Sequence, residues 1–167
     1  MRRSFLVHAG IAGGLGALMV LTAALTLLPG PLPLPGAGVL MGVGLAATFP
    51  LFGVAIVRGF VVPKEEQWPA FRCLPGWVQL TLALLLGAGI AVNMVRGEEV
   101  RGQDAQIRDG RYQVFVTAQG KRGWADVGRD EYLRVRESDQ RSALAIPGTL
   151  LAGAATLSLI TGEARRA

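Results

Sequence analysis

"SALAIPGTLLAGAATLSLIT", residues 142–161, runs for twenty residues without an Asp, Glu, Lys or Arg. A helix needs roughly 20 predominantly apolar residues to cross about 30 Å of hydrocarbon. The stretch meets that length, and its start is sharp, because "YLRVRESDQR" at 132–141 is strongly charged. Working back along the chain, the same pattern recurs three times. Residues 74–95 are 22 positions without a charge, 38–57 are 20, and 5–28 are 24 with His8 as the one ionisable side chain. A soluble chain of 167 residues would mix its charge among the apolar positions instead of excluding it from four long blocks. Hydrocarbon offers the backbone no hydrogen-bond partners, so such blocks bond internally as helices. The expected fold is a membrane all-α bundle of four transmembrane helices.

The charged residues point the same way. A formal charge of +5 could suggest nucleic acid, but the basic residues sit at block ends or alternate with acids between Arg96 and Arg141. They form no one-signed stripe, and no nucleic-acid partner is expected. Cys73 is the only cysteine and His8 the only histidine, so neither a disulfide nor a zinc site is expected. The start, "MRRSFLVHAGIAGG", is similar to a twin-arginine export signal. It lacks the usual small polar residue before the pair, and no A-x-A cleavage site follows its long apolar run. A retained first span anchored by Arg2 and Arg3 is the expectation.

Orientation follows from the positive flanks. Seven Lys and Arg lie in the three short flanks 1–4, 58–73 and 162–167, against ten in the long 96–141 segment, which also carries nine acids. Density and the Arg2-Arg3 flank of the first span place the N- and C-termini in the cytoplasm and residues 96–141 outside. Between spans one and two, Pro29, Pro31, Pro33 and Pro35 force an extended turn. Between spans two and three, Phe60, Trp68, Phe71 and Trp77 with Lys64 and Arg72 read as an amphipathic interfacial loop against the lipid bilayer.

The 96–141 segment is organised. Tyr112, Val114 and Val116 alternate with Gln113, Phe115 and Thr117, a period of two in residues that favour strands. "AQGKRG" supplies a turn, "WADV" a return strand ending at Gly128, and Asp130 an N-cap for a helix that enters span four. Glu137 and Arg141 are spaced as a helical ion pair, and Pro147 is expected to kink or break the helix. The predicted division is therefore three spans in 1–95, a cap in 96–141, the fourth span at 142–161, and a basic tail at 162–167. Within the cap, a small β-hairpin covers 111–128 and a helix starts near 130. A hairpin alone is marginal in water. It should pack on its own helix through Tyr132 and Val135, with Lys121 and Arg122 exposed at the turn. Tyr112, Phe115, Lys121, Arg122, Trp124 and Tyr132 are the candidate interaction or structural residues of this cap.

Gly110-Arg111-Tyr112, the run Trp124 to Val127, Glu131-Tyr132 and Gln140-Arg141, followed by a last span, resemble small uncharacterised multi-pass membrane proteins of actinobacteria. The resemblance covers residues 110–161 and implies a bacterial inner-membrane location, without implying an activity.

Catalytic and transport chemistry is not evident. No span carries Asp, Glu, Lys or Arg, which ion-coupled carriers place at membrane depth. His8, Gln79 and Asn93 read as interfacial or helix-bonding groups. No Walker loop, H-E-x-x-H or G-x-G-x-x-G occurs, and no cofactor is expected. Gly10 with Gly14, Gly38 with Gly42, and Gly148 with Ala152 are small pairs four apart, suited to close helix packing within the bundle. The expected function is that of a non-enzymatic accessory or interaction protein of the membrane, with a membrane-protein partner or a second copy of itself. The alternative is a small oligomeric transporter or channel component.

Overall fold

The longest element explains the rest. In a computed structural model, which describes residues 3–28, 37–95, 102–118 and 121–166, helix α5 (Arg129–Ala164) is continuous for 36 residues. At 1.5 Å per residue it is about 54 Å long. That exceeds the 30 Å or so of a hydrocarbon layer, leaving several turns to support the cap. Its N-cap is Gly128, two residues earlier than the Asp130 the sequence suggests, with Asp130 and Glu131 in the first turn at the positive end of the helix dipole. Pro147 was expected to kink or break the helix; it lies inside α5 without ending it. The helix is held on both sides of Pro147, by buried Leu144 and Ala145 before it and by Gly148 and Leu151 after it.

Around α5 stand α1 (Arg3–Leu25), α2 (Ala37–Gly59) and α4 (Gly76–Met94). All four helices are long and apolar enough to cross a membrane. Half of the most apolar window of α5 is buried, against 33% for α1 and 17% for α2 and α4, so α5 is the central helix and the others surround it. The centre is filled by Met19, Val20, Leu144, Leu151 and Ala155. The proline-rich connection lies outside the described residues.

Neighbouring helices press closely on glycines of α1, α2 and α4. A Cβ on Gly16 would stand 2.9 Å from the Gly148 carbonyl oxygen, so α1 and α5 touch main chain to main chain. One on Gly44 of α2 would collide with the Met19 thioether, and one on Gly89 of α4 with the Thr149 hydroxyl. Of the three expected pairs, Gly148 with Ala152 is used in this way. Gly10, Gly14, Gly38 and Gly42 have nothing within 4 Å of a Cβ. Spacing identifies a small stripe but not the face it occupies, and α1 carries glycines on several faces.

The segment between α2 and α4 is a helix where an interfacial loop was expected. Helix α3 (Lys64–Arg72) packs against α5 and buries Ala70. Trp68 stacks on Phe71 at 5.7 Å and remains 65% exposed, so the helix shows an aromatic outer side.

The cap is a three-stranded antiparallel sheet in the order β1 (Gly102–Arg108), β2 (Arg111–Ala118), β3 (Lys121–Asp126). The expected hairpin is β2–β3, paired from Gln113↔Asp126 to Ala118↔Lys121. The additional strand, β1, is joined to β2 through Asp109 and Gly110, with φ of 51° and 75°. Two successive residues with positive φ make the two-residue hairpin turn for which Asp-Gly is well suited. The sheet lies against the start of α5.

Candidate functional site

Strand alternation divides the cap into two faces with different roles. On the inner face, Val114 is 1% exposed, and the Tyr112 ring lies 5.0 Å from that of Tyr132. Tyr132 and Val135 of α5 are themselves buried, as expected from the sequence, and the Tyr132 hydroxyl accepts a hydrogen bond from Arg136 Nη1 at 3.4 Å. Tyr112 and Tyr132 therefore fasten the sheet to its helix.

The outer face carries Gln113, Phe115, Trp124 and Asp126, brought side by side by the β2–β3 register. Phe115 and Trp124 meet edge to face at 5.5 Å and 69°, a favourable aromatic geometry. Trp124 is still 41% exposed. Beside this pair runs a polar row. Gln106 Nε2 donates to Gln113 Oε1, Gln113 Nε2 donates to Asp126 Oδ1 at 2.9 Å, and Arg111 Nη1 donates to Asp126 Oδ2 at 3.2 Å. The Gln113 amide and the Arg111 guanidinium hold the Asp126 carboxyl below its ordinary value. Arg122 is exposed on the same face, opposite Thr117, while the Lys121 side chain lies outside the described residues. Asp126 thus stands on the opposite face from Tyr112 and Tyr132, and the three do not converge on one centre.

Two features at the junction of cap and bundle were not anticipated. Arg141 does not serve as a partner for Glu137. Its guanidinium donates to Thr26 Oγ1 at 3.1 Å, to the Thr26 carbonyl at 3.3 Å and to the Val95 carbonyl at 2.9 Å. Thr26 and Val95 follow α1 and α4, so one cation satisfies carbonyls at two helix C-termini, where the dipole favours positive charge. It also places the ends of α1 and α4 beside the foot of the cap. The second feature is a cleft of about 440 Å³ lined by Asp104 of β1, Asp139, Ser142, Ile146 and Pro147 of α5, and Leu45 of α2. Asp139, in the turn above the apolar stretch of α5, is pushed up to about 6 by desolvation and then by the charge of Asp104. In the sequence both were ordinary members of a mixed-charge run, because β1 itself was not recognised. The Asp109-Gly110 dipeptide was the available signal.

The polar groups within the helices are satisfied locally. His8 Nε2 is 3.0 Å from the Leu51 carbonyl of α2, which makes that nitrogen the donor. Gln79 Nε2 donates to the carbonyls of Leu74 and Arg72, tying α4 to the end of α3, and Asn93 Nδ2 donates to Gly89 of its own helix. Among the described residues no group of three or more His, Cys, Asp or Glu could hold a metal ion. Set against known proteins, the chain matches no family model, no curated protein and no solved structure.

Proposed function

We propose that this chain is a non-enzymatic, four-span protein of a bacterial cell membrane, with both termini in the cytoplasm, and that its cap presents the outer sheet face to a protein partner on the other side. One observation carries the reading. The sheet buries Val114 and holds Tyr112 against Tyr132 of α5, yet leaves Trp124, in edge contact with a half-buried Phe115, exposed beside an ordered polar row. Aromatic side chains flanked by satisfied polar groups are characteristic of recognition surfaces. The filled bundle centre favours a structural role for the helices over a path through a single copy. The resemblance of residues 110–161 to small actinobacterial membrane proteins supports the bacterial location.

Orientation is tested by fusing an alkaline phosphatase reporter after Gly120 and after Arg166. Activity at the first site and silence at the second are expected, and the reverse pattern overturns the orientation. Recognition is tested with a photo-crosslinking residue at position 124 in living cells, with position 125 on the inner face as control. A discrete adduct with another protein at 124 alone is expected. Adducts with lipid only, or none, would refute the partner-binding face.

A further inference from the structure

Phe5 lies in the first turn of α1 and is 4% exposed. Two cations share its ring. The Arg58 guanidinium carbon, from the last turn of α2, is 4.9 Å from the ring centroid, and that of Arg165, at the end of α5, is 5.6 Å away. The start of α1 and the ends of α2 and α5 therefore meet at one end of the bundle, opposite the end that Arg141 ties to Thr26 and Val95. Cation–π contact and the negative ends of α2 and α5 account for two arginines at this place. They do not account for the missing acceptor at Arg58. Glu163 is engaged by Arg166 at 3.7 Å, and among the described residues no carboxylate pairs with Arg58 or Arg165. Arg58 Nη1 is enclosed by the protein and has no hydrogen-bond partner. A buried cationic donor left without an acceptor carries its full desolvation cost, so this nitrogen is one oxygen short. His8, one turn further along α1, directs its Nε2 to the Leu51 carbonyl.

We propose that Arg58 and Arg165, across Phe5, bind the phosphate of an anionic phospholipid. The inference rests on the membrane reading above. A guanidinium is a planar fork that matches phosphate oxygens, and basic pockets between helices on the cytoplasmic side suit anionic head groups. The surroundings favour a lipid over a soluble phosphate. Val57, Phe60 and Val61, next to Arg58 in the chain, are 66%, 85% and 63% exposed, an apolar flank for acyl chains. Trp68 in the middle of the short helix α3 and Trp77 at the start of α4 are exposed aromatics of the kind that settle at the head-group layer.

The test uses the full chain in nanodiscs containing equal phosphatidylglycerol and phosphatidylcholine, with retained lipid counted by native mass spectrometry after release. Preferential retention of phosphatidylglycerol is expected, falling about tenfold in the Arg58→Gln, Arg165→Gln double variant, as expected for losing charge-assisted contacts worth that factor. Arg58→Lys, which keeps the charge but not the fork, should fall between them, and Arg122→Gln in the cap should match the parent. Circular dichroism confirms that each variant keeps its helices. If the double variant does not fold, the Arg58→Lys chain alone decides, and parent-like retention there overturns the fork. Equal retention of the two lipids by the parent chain, or an unchanged double variant, overturns the site. Displacement of bound phosphatidylglycerol by inorganic phosphate would mark a soluble-phosphate site and overturn the lipid assignment. A chain that inserts but shows no preference disproves only this site, whereas one that does not enter the nanodisc disproves the membrane reading beneath it.

Discussion

Leu144 in the bundle and Val114 in the cap are both fully buried, and both belong to packing organised by α5. Their surroundings differ. Near Leu144 the helices meet through small residues, with the Gly16 and Gly148 backbones in contact. Near Val114 the contact is made by bulk, as the Tyr112 ring meets Tyr132 and Val135 closes behind them. In a membrane, lipid tails solvate an apolar side chain as well as a neighbouring helix does, so helices gain by close approach and dispersion. In water, withdrawal of apolar surface is itself favourable, and large side chains gain most. In the membrane setting proposed above, one helix uses two packing chemistries, and Arg141 lies between the two regions.

The largest effect should come from the bundle seam. Gly148→Leu places a side chain where a Cβ already comes within 2.9 Å of Val20 and 3.2 Å of the Gly16 carbonyl oxygen. Overpacking of this kind costs about 1–3 kcal/mol, and more where backbone must move. Thermal unfolding in detergent should show a clear loss for Gly148→Leu and none for Gly10→Leu, which has open space. Equal losses would remove the distinction between used and unused glycines.

Truncating the cap's anchor comes next. Tyr132→Ala removes a buried aromatic, worth about 3–5 kcal/mol in a thick core and less in a sheet covered on one face. Its effect should remain local, with limited proteolysis faster near Arg122 and Arg129 while the helices stay intact. Parent sequence that is already cut freely there would mean that the cap is not packed on α5. Arg141→Ala tests the joint between the regions. It removes three hydrogen bonds from a charged donor, a class in which each bond contributes about 1.5–3 kcal/mol when buried and less at a partly exposed site such as this. Both proteolysis of the cap and thermal unfolding of the bundle should move. A change in only one would show that the clamp does not couple them.

A smaller and pH-dependent effect is expected at Asp139. Its carboxyl is raised in the folded chain from 3.8 to about 6. The folded state therefore holds this proton more tightly than the unfolded state. The resulting stabilisation is complete below pH 3.8, fades as the pH rises, and is gone above about 6. Asp139→Asn should flatten the decline of cap protection between those values in hydrogen exchange, and an unchanged profile would refute the assignment. The smallest change in stability belongs to Trp124→Ala on the outer face, about 0.5–1.5 kcal/mol from the lost edge contact with Phe115, although it should abolish the partner adduct.

How much of this was legible varied with the length scale of the signal. Four apolar blocks announced four long helices because each is a sum over about twenty residues. The alternation of Tyr112, Val114 and Val116 announced β2 for a similar reason. Strand β1, "GQDAQIR", carries almost no apolar alternation and exists as an edge strand bonded along β2. Helix α3 was read as an interfacial loop, and the structure shows a helix packed against α5. Among the candidate residues, the sequence placed Phe115 opposite Tyr112, since side chains alternate along a strand. It could not say which face would be covered, because the cover is a helix that folds back from beyond the sheet.

What the sequence determined by itself was the set of elements that need no partner to be recognised: helix length, the exclusion of charge, and the period of a strand. What only the tertiary structure decided was which residues meet. Arg141 was spaced for Glu137 but reaches Thr26, 115 positions away. Arg58 and Arg165 come together at Phe5 from the ends of two helices. Gly16, which no pair of four singled out, is where α1 touches α5. Local propensity is a property of neighbours in the chain, whereas these contacts depend on how helices rotate about their axes, and that rotation is set by the best fit of all their faces at once.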